Sequence, residues 1–369
     1  ALSPLGPRLG VPSVVAARAA LGIRGAALVA VLLYVTNFAW IAVNNVIAAS
    51  ACSRLAGGPG SEKVWAVALG LLATAVVLGG PRLVGLADRV AVPMLLLVGV
   101  MLTIACLRLP KETLHAPGSG GVSFMRGLDV VVGYQVSWLL MFADYSRYTR
   151  SAVKGTAATF LGLALTSLWF VPLGFLAARA AGSSDPGAMV AAVGLGGWGA
   201  LLLTLATLTT NFVNIYLSAL AWKSLVPKTS DTASILAIGV VGAALSLSSV
   251  WLESYASFMV FLGALLVPVG GVLLAHFFVR RIPTEVAWLY DERGPLARHG
   301  GFSWPGLLSW GLGAAAYVLA TPIGGTLPAL VVSVAAYALL ARRPGAGDSQ
   351  VQALPGGAPG GSDQVSRRA

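Results

Sequence analysis

The sequence predicts an all-α polytopic membrane protein, on three observations. Apolar runs of about 20 residues recur along the whole chain, the length at which a helix crosses the hydrocarbon core. Hydrophobic residues make up 57% and charged residues 10%, with a mean hydropathy of +0.83; a soluble domain carries about a quarter charged residues. Basic residues also fall in alternate loops, as the positive-inside rule requires of correctly counted helices. The short alternating segments of a membrane barrel are not seen.

In chain order, residues 1–24 are punctuated by Gly and Pro and flanked by Arg8, Arg18 and Arg24, and they read as a cytoplasmic amphipathic segment. Ten spans follow, at roughly 25–51, 63–80, 90–107, 127–146, 155–180, 195–222, 232–250, 255–279, 303–321 and 325–341. Together they make a transmembrane domain over 25–341. Residues 342–369 are rich in Gly, Pro, Ser and charge, and read as a disordered cytoplasmic tail.

The loops test this count. One alternate set holds Arg8, Arg18, Arg24, Arg82, Arg89, Arg147, Arg150, Lys154, Lys223, Lys228, Arg280, Arg281, Arg293, Arg298, Arg342, Arg343, Arg367 and Arg368. The other holds only Arg54, Lys63, Arg108, Lys111, Arg126 and Arg179. This bias puts both visible ends of the chain in the cytoplasm and the protein in the plasma membrane. It also accounts for the net charge of +11, which forms no compact basic stripe and so argues against nucleic acid as a partner. Cys52 and Cys106 make no disulfide framework and read as free apolar thiols. No phosphate-binding, dinucleotide, metal-ligand or nucleophile motif stands out, which leaves an enzyme without support.

Three spans carry polar residues at depths where lipid makes them costly. In the first, Asn37, Trp40 and Asn44 share one helical face. In the fourth, Gln135 and Trp138 follow Gly133. In the sixth, Thr204, Thr207, Asn211, Asn214 and Ser218 form a stripe, with Thr209 and Thr210 beside it. One reading is interhelical glue, worth about 0.6 kcal/mol per hydrogen bond. The other is a ligand site: carboxamides offer a donor beside an acceptor, and indoles offer flat faces, which together suit a planar heterocycle. Asp129 and Asp144 sit near opposite ends of one span and Glu253 lies in a turn, so mid-membrane carboxylates are missing. That favours Na⁺ held by hydroxyls and carbonyls over a proton as the coupling ion, and no other cofactor is expected. His276 reads as a helix-end residue beside a carbonyl.

On particular motifs the chain resembles the nucleobase:cation symporter-1 family, the purine-cytosine permeases and hydantoin transporters. Leu9-Gly10-Val11-Pro12-Ser13 with Ala17-Arg18-Ala19-Ala20-Leu21-Gly22-Ile23-Arg24-Gly25 is similar to a cytoplasmic segment of that family. Ala143-Asp144-Tyr145-Ser146-Arg147-Tyr148 resembles its signature after the sixth helix, and Thr209-Thr210-Asn211 its eighth helix. Phe261-Leu262-Gly263 opens the match to the tenth helix, where His276 replaces a frequent Asp. The spacing of Ser137 and Trp138 before Asp144 is most similar to the cytosine and hydroxymethylpyrimidine branch.

The resemblance implies a LeuT-type fold of two inverted five-helix repeats plus two helices, with about ten of twelve helices present because the first span matches the family's third helix. The recurrence of Thr36-Asn37-Phe38 as Thr210-Asn211-Phe212 fits such a repeat. It further implies a monomeric carrier that imports a nucleobase-like pyrimidine, cytosine or hydroxymethylpyrimidine, with a cation. The substrate residues would be Trp40, Asn44, Gly133, Gln135, Trp138, Asn211 and Asn214. Trp40 would stack, and a second ring, Tyr134 or Trp138, is left open. Ala206, Thr209 and Thr210 match the sodium positions. The rival expectations are a purine, allantoin or hydantoin carrier, and a truncated membrane protein that transports nothing.

Overall fold

A computed structural model describes residues 2–341, apart from Gly57, Pro59, residues 116–122, Ser137, Leu140, Phe142, Asp144, Tyr145 and Pro227. The expected tail at 342–369, Ser137, and Asp144 and Tyr145 of the signature therefore lie outside the described residues. All the regular structure described is helical.

Two short helices open the chain, α1 (Leu5–Leu9) and α2 (Ser13–Leu21). The segment expected to be a cytoplasmic amphipathic piece is packed into the core: Leu5, Ala17, Ala20 and Leu21 are buried against Met259, Leu262 and Leu266. Small side chains make this possible, since the backbone of Ala20 lies where a Cβ on Gly306 would stand. Gly22 makes the turn at φ 81°, a conformation that penalises any Cβ. Ser303 N then donates to Leu21 O at 2.9 Å, and Arg18 to Leu289 O at 2.8 Å.

The long helices match the expected spans in order. They are α3 (Ile23–Ala56), α4 (Glu62–Leu78), α5 (Pro81–Leu107), the short α6 (Lys111–His115), α7 (Phe124–Val136) and α8 (Ala152–Ala181). They continue with the short α9 (Pro186–Ala192), then α10 (Gly196–Leu225), α11 (Asp231–Leu245), the single turn α12 (Val250–Glu253) and α13 (Tyr255–Leu274). The last are α14 (Val286–Tyr290), α15 (Trp304–Ala320) and α16 (Thr326–Leu340). Among the described residues, six helices are long and apolar enough to cross a membrane, and α11 and α16 are shorter apolar helices.

Several expected boundaries moved, among them the end of the first span, which runs on to Ala56. The third span begins at Pro81, because proline is favourable in a first turn and the preceding Gly80 supplies φ 85°. The seventh stops at Leu245. The fourth is not one helix: α7 ends at Val136, and Trp138, Leu139 and Met141 bond three residues back, to Gln135, Val136 and Trp138. Four-residue spacing returns with Arg147 N to Ala143 O at 2.9 Å. Side-chain caps account for several starts: Ser151, Asp185, Ser230 and Ser303 each accept a backbone N–H of the helix they precede.

Two apolar cores organise the helices. One gathers Ile41, Leu69, Phe212, Ile215, Ile235 and Ile238 from α3, α4, α10 and α11. The other gathers Leu21, Val29, Met259, Leu262 and Val269, with Val136 and Trp40 against it. Helix α3 belongs to both. Its seam with α10 is closed by polar contacts: Asn37 to Ser218 (3.0 Å), Asn211 to Asn45 (2.6 Å) and to Ile41 O (3.2 Å), and Cys52 against Thr204 (3.5 Å). Asn45 passes its own amide to Ser246, beyond the end of α11, at 3.0 Å. Cys52 and Cys106 are free thiols.

Asp129 has a part the sequence did not suggest. It is buried on α7, and its two carboxylate oxygens accept Gly325 N (2.6 Å) and Thr326 N (3.1 Å), the orphan donors at the start of α16. The positive end of α16 balances its charge. Asp129→Ala would leave both N–H groups unpaired at a cost of about 1–3 kcal/mol. Its thermal unfolding midpoint in detergent should fall, and Asp129→Asn should recover part of the loss. An unchanged midpoint for the alanine variant would show that the clamp contributes nothing.

Candidate functional site

Between the α3–α10 pair and the α7–α13 pair lies a cavity of about 380 Å³. Helix α3 contributes Asn37, Trp40, Val43, Asn44 and Ile47 to its wall, and α10 contributes Thr210, Val213, Asn214 and Leu217. Tyr134 comes from α7, Trp138 and Met141 from the irregular stretch after it, and Ser184 and Pro186 from the approach to α9. Leu252 and Tyr255 complete it. A lipid-length helix interrupted beside a cavity is where irregular backbone is tolerated in a bilayer.

Trp40 is held by three rings. Tyr134, Tyr255 and Phe258 meet it edge-on, with centroids at 6.0, 6.1 and 5.5 Å. These contacts fix the orientation of the indole, so an incoming planar ring meets a preset aromatic surface. The carboxamides are prepared differently. Asn44 Nδ2 donates to Trp40 O (3.0 Å) and Asn37 Nδ2 to Ser218 Oγ (3.0 Å), while Asn214 has no partner among the described residues. Hydroxyls of Thr209 and Thr210 both donate to Ala206 O, at 2.9 and 3.0 Å, which groups three oxygens within about one turn of α10.

Of the residues singled out in the sequence, Asn37, Trp40, Asn44, Tyr134, Trp138, Thr210 and Asn214 line this cavity. The others stand elsewhere. Gly133 lies where α7 and α13 almost touch, since a Cβ there would come within 2.5 Å of Met259 O. Gln135 turns to α8 and donates to Ser167 Oγ at 2.7 Å. Asn211 is spent on the α3 seam. Ala206 lines a neighbouring apolar cavity of about 320 Å³, which shares Thr210 and Pro186 with the first. His276, expected beside a carbonyl, bonds Tyr337 Oη (2.8 Å) and Thr284 Oγ1 (3.1 Å) from within a π-helical turn, Ala275–Val279.

Sequence reasoning missed Tyr255, Phe258 and Ser184. Tyr255 is the first residue of its helix, where an aromatic carries no sign of depth, and Ser184 lies in a loop. Asn37 was visible on the face of Trp40 but was not assigned to the ligand.

The wall at the Arg54 end of α3 is fastened by an ion pair. Asp185 caps α9, accepting Gly187 N and Ala188 N, and also takes Ser50 Oγ (3.0 Å) and Arg54 Nη2 (2.6 Å). Pro186, next in the chain, lines the cavity.

A family model described as permease for cytosine/purines, uracil, thiamine and allantoin matches residues 1–340. Cytosine permeases of Escherichia coli O157:H7 and of strain K12 are each 28% identical over 332 residues, covering 85% of this chain and 73% of the relative. Among solved structures, Mhp1, a nucleobase-cation-symport-1 family transporter, in a closed conformation with bromovinylhydantoin bound, superposes with a TM-score of 0.75 at 20% identity. Its inward-facing conformation gives 0.77 at 21% identity. Each superposition covers 92% of this chain and 80% of the other. The fold is therefore the LeuT-type transporter fold, and the chain is a multi-pass membrane protein.

The ion pair generates a prediction. Asp185→Asn keeps a capping side chain but removes the pair to Arg54, so hydrogen exchange across α9 should quicken roughly two- to fivefold, the worth of an exposed pair. Exchange measured by mass spectrometry at the same rate in both forms would show that the pair fastens nothing.

Proposed function

The chain belongs to the family of permeases for cytosine/purines, uracil, thiamine and allantoin, and we propose that within it this chain imports a pyrimidine nucleobase, cytosine or hydroxymethylpyrimidine, together with a cation. As a member of that family it is a transporter and not an enzyme. The observation that carries the reading is the cavity itself: an indole oriented by three other rings, with Asn37, Asn44 and Asn214 on the same wall. A flat heterocycle stacks on Trp40, gaining about 0.5–1.5 kcal/mol beyond burial. Its polar edge is read by carboxamides.

Sodium is the coupling ion in this reading, held by oxygens of Ala206, Thr209 and Thr210; a proton is the alternative. Thr210 sits on the cavity wall, so an ion there and a base in the cavity favour each other's binding by linkage. The interruption after Val136 supplies the give that alternating access requires. The basic loops orient the protein in the plasma membrane with the Arg24 end of α3 in the cytoplasm and the Arg54 end outside, and the carrier acts as a monomer. A bicyclic purine is the second reading, favoured by a volume of about 380 Å³. Competition of labelled cytosine uptake by adenine against hydroxymethylpyrimidine separates the two.

Two outcomes test the assignment. Trp40→Ala should weaken binding of labelled cytosine at least about tenfold while the protein still inserts, and Trp40→Phe should weaken it less; unchanged affinity in the alanine variant would remove Trp40 from the site. Thr209→Ala combined with Thr210→Ala should abolish the stimulation of uptake by sodium. A persisting sodium dependence would refute the ion assignment and leave the substrate reading standing.

A further inference from the structure

We infer that the turn leading into α8 is a docking surface for an anionic phospholipid, whose headgroup phosphate is held by Arg147, Arg150 and Lys154. The surface lies outside the cavity and does not depend on what the cavity carries. Residues 147–154, RYTRSAVK, hold three cations and no acid. Among the described residues none of the three is paired to a carboxylate. Arg150 and Lys154 are exposed, so their charge is open to a partner from outside the chain.

The cations are gathered at a ring. Arg147 Nη2 donates to Tyr148 Oη at 2.6 Å, and the guanidinium carbon lies 4.8 Å from the centre of the same ring. The phenol oxygen accepts in this bond, so its own O–H is left to donate to an oxyanion, beside the N–H groups that the guanidinium keeps. The ring is buried in no core: Tyr148 is 78% exposed. A tyrosine with a wet hydroxyl and an open ring suits the boundary between water and lipid. An apolar face begins within a turn of these cations. Val153 and Phe160, 79% and 68% exposed, stand two turns apart on one face of α8. Acyl chains fit along that face while the phosphate stays level with Arg150 and Lys154, an arrangement that a soluble anion has no use for. A zwitterionic lipid offers the same chains, but its ammonium offsets the phosphate. Net negative charge on the head is therefore what the surface selects, and each cation near it adds about fivefold in affinity.

The test is native mass spectrometry of the full chain in detergent, titrated with phosphatidylglycerol or with phosphatidylcholine of the same chains. The first phosphatidylglycerol should bind at least about tenfold more tightly than the first phosphatidylcholine. Arg147→Gln, Arg150→Gln and Lys154→Gln combined should erase that preference, and Tyr148→Ala should lower it severalfold. Arg82→Gln, Arg89→Gln and Arg293→Gln combined remove the same charge from other loops and should leave it intact. Equal affinity for the two lipids, or equal loss in both triple variants, would overturn the inference. Displacement of the bound lipid by glycerol phosphate as readily as by phosphatidylglycerol would overturn it as well, since the site would then serve a soluble phosphate.

Discussion

The structure depends on one buried relay of side-chain amides. Asn211 gives its amide to Asn45 and to the backbone of Ile41, and Asn45 gives its own to Ser246. Three elements far apart in sequence are thereby fixed in depth as well as in distance. In lipid, hydrophobic burial does not drive helices together, so packing and hydrogen bonds decide register. The relay sets the register of α3 against α10, and with it the heights of Trp40, Asn44, Thr210 and Asn214 around the cavity. Asn37, Asn44 and Asn214 line the cavity because Asn211 holds these two helices in place.

Much of the fold was legible because lipid-length apolar runs and the alternation of basic loops are properties of single segments. Serine caps before α8, α11 and α15 are equally local. The site was less legible, and the reason is physical. Gln135 and Asn214 are alike as sequence signals, each a carboxamide in an apolar helix. Only the neighbour decides their part: Ser167 on α8 takes Gln135, while nothing described takes Asn214. Asp129 shows the same limit, since the donors it caps lie 196 and 197 residues further on. Trp40 and Asn44 were readable because an indole and a carboxamide one turn apart in a membrane helix are costly in any fold.

Helix α7 is tied to two neighbours before its regular bonding ends at Val136. Asp129 ties its second turn to α16, and Gly133 presses it against the backbone of α13. Three residues beyond Gly133 regular bonding stops, and Trp138 enters the cavity wall from the irregular stretch.

The burial of α2 has a consequence for how the chain is made. Arg18 finds its partner Leu289 only 271 residues later, and Leu21 waits as long for Ser303 and for much of α13. At ordinary rates of translation that interval is about 15–50 s, during which the early segment is held without its native neighbours. A strongly apolar segment would be drawn into lipid in that time. The alanine-rich Ala16-Ala17-Arg18-Ala19-Ala20 is mild enough to wait at the surface, yet small enough to fit when its cradle arrives.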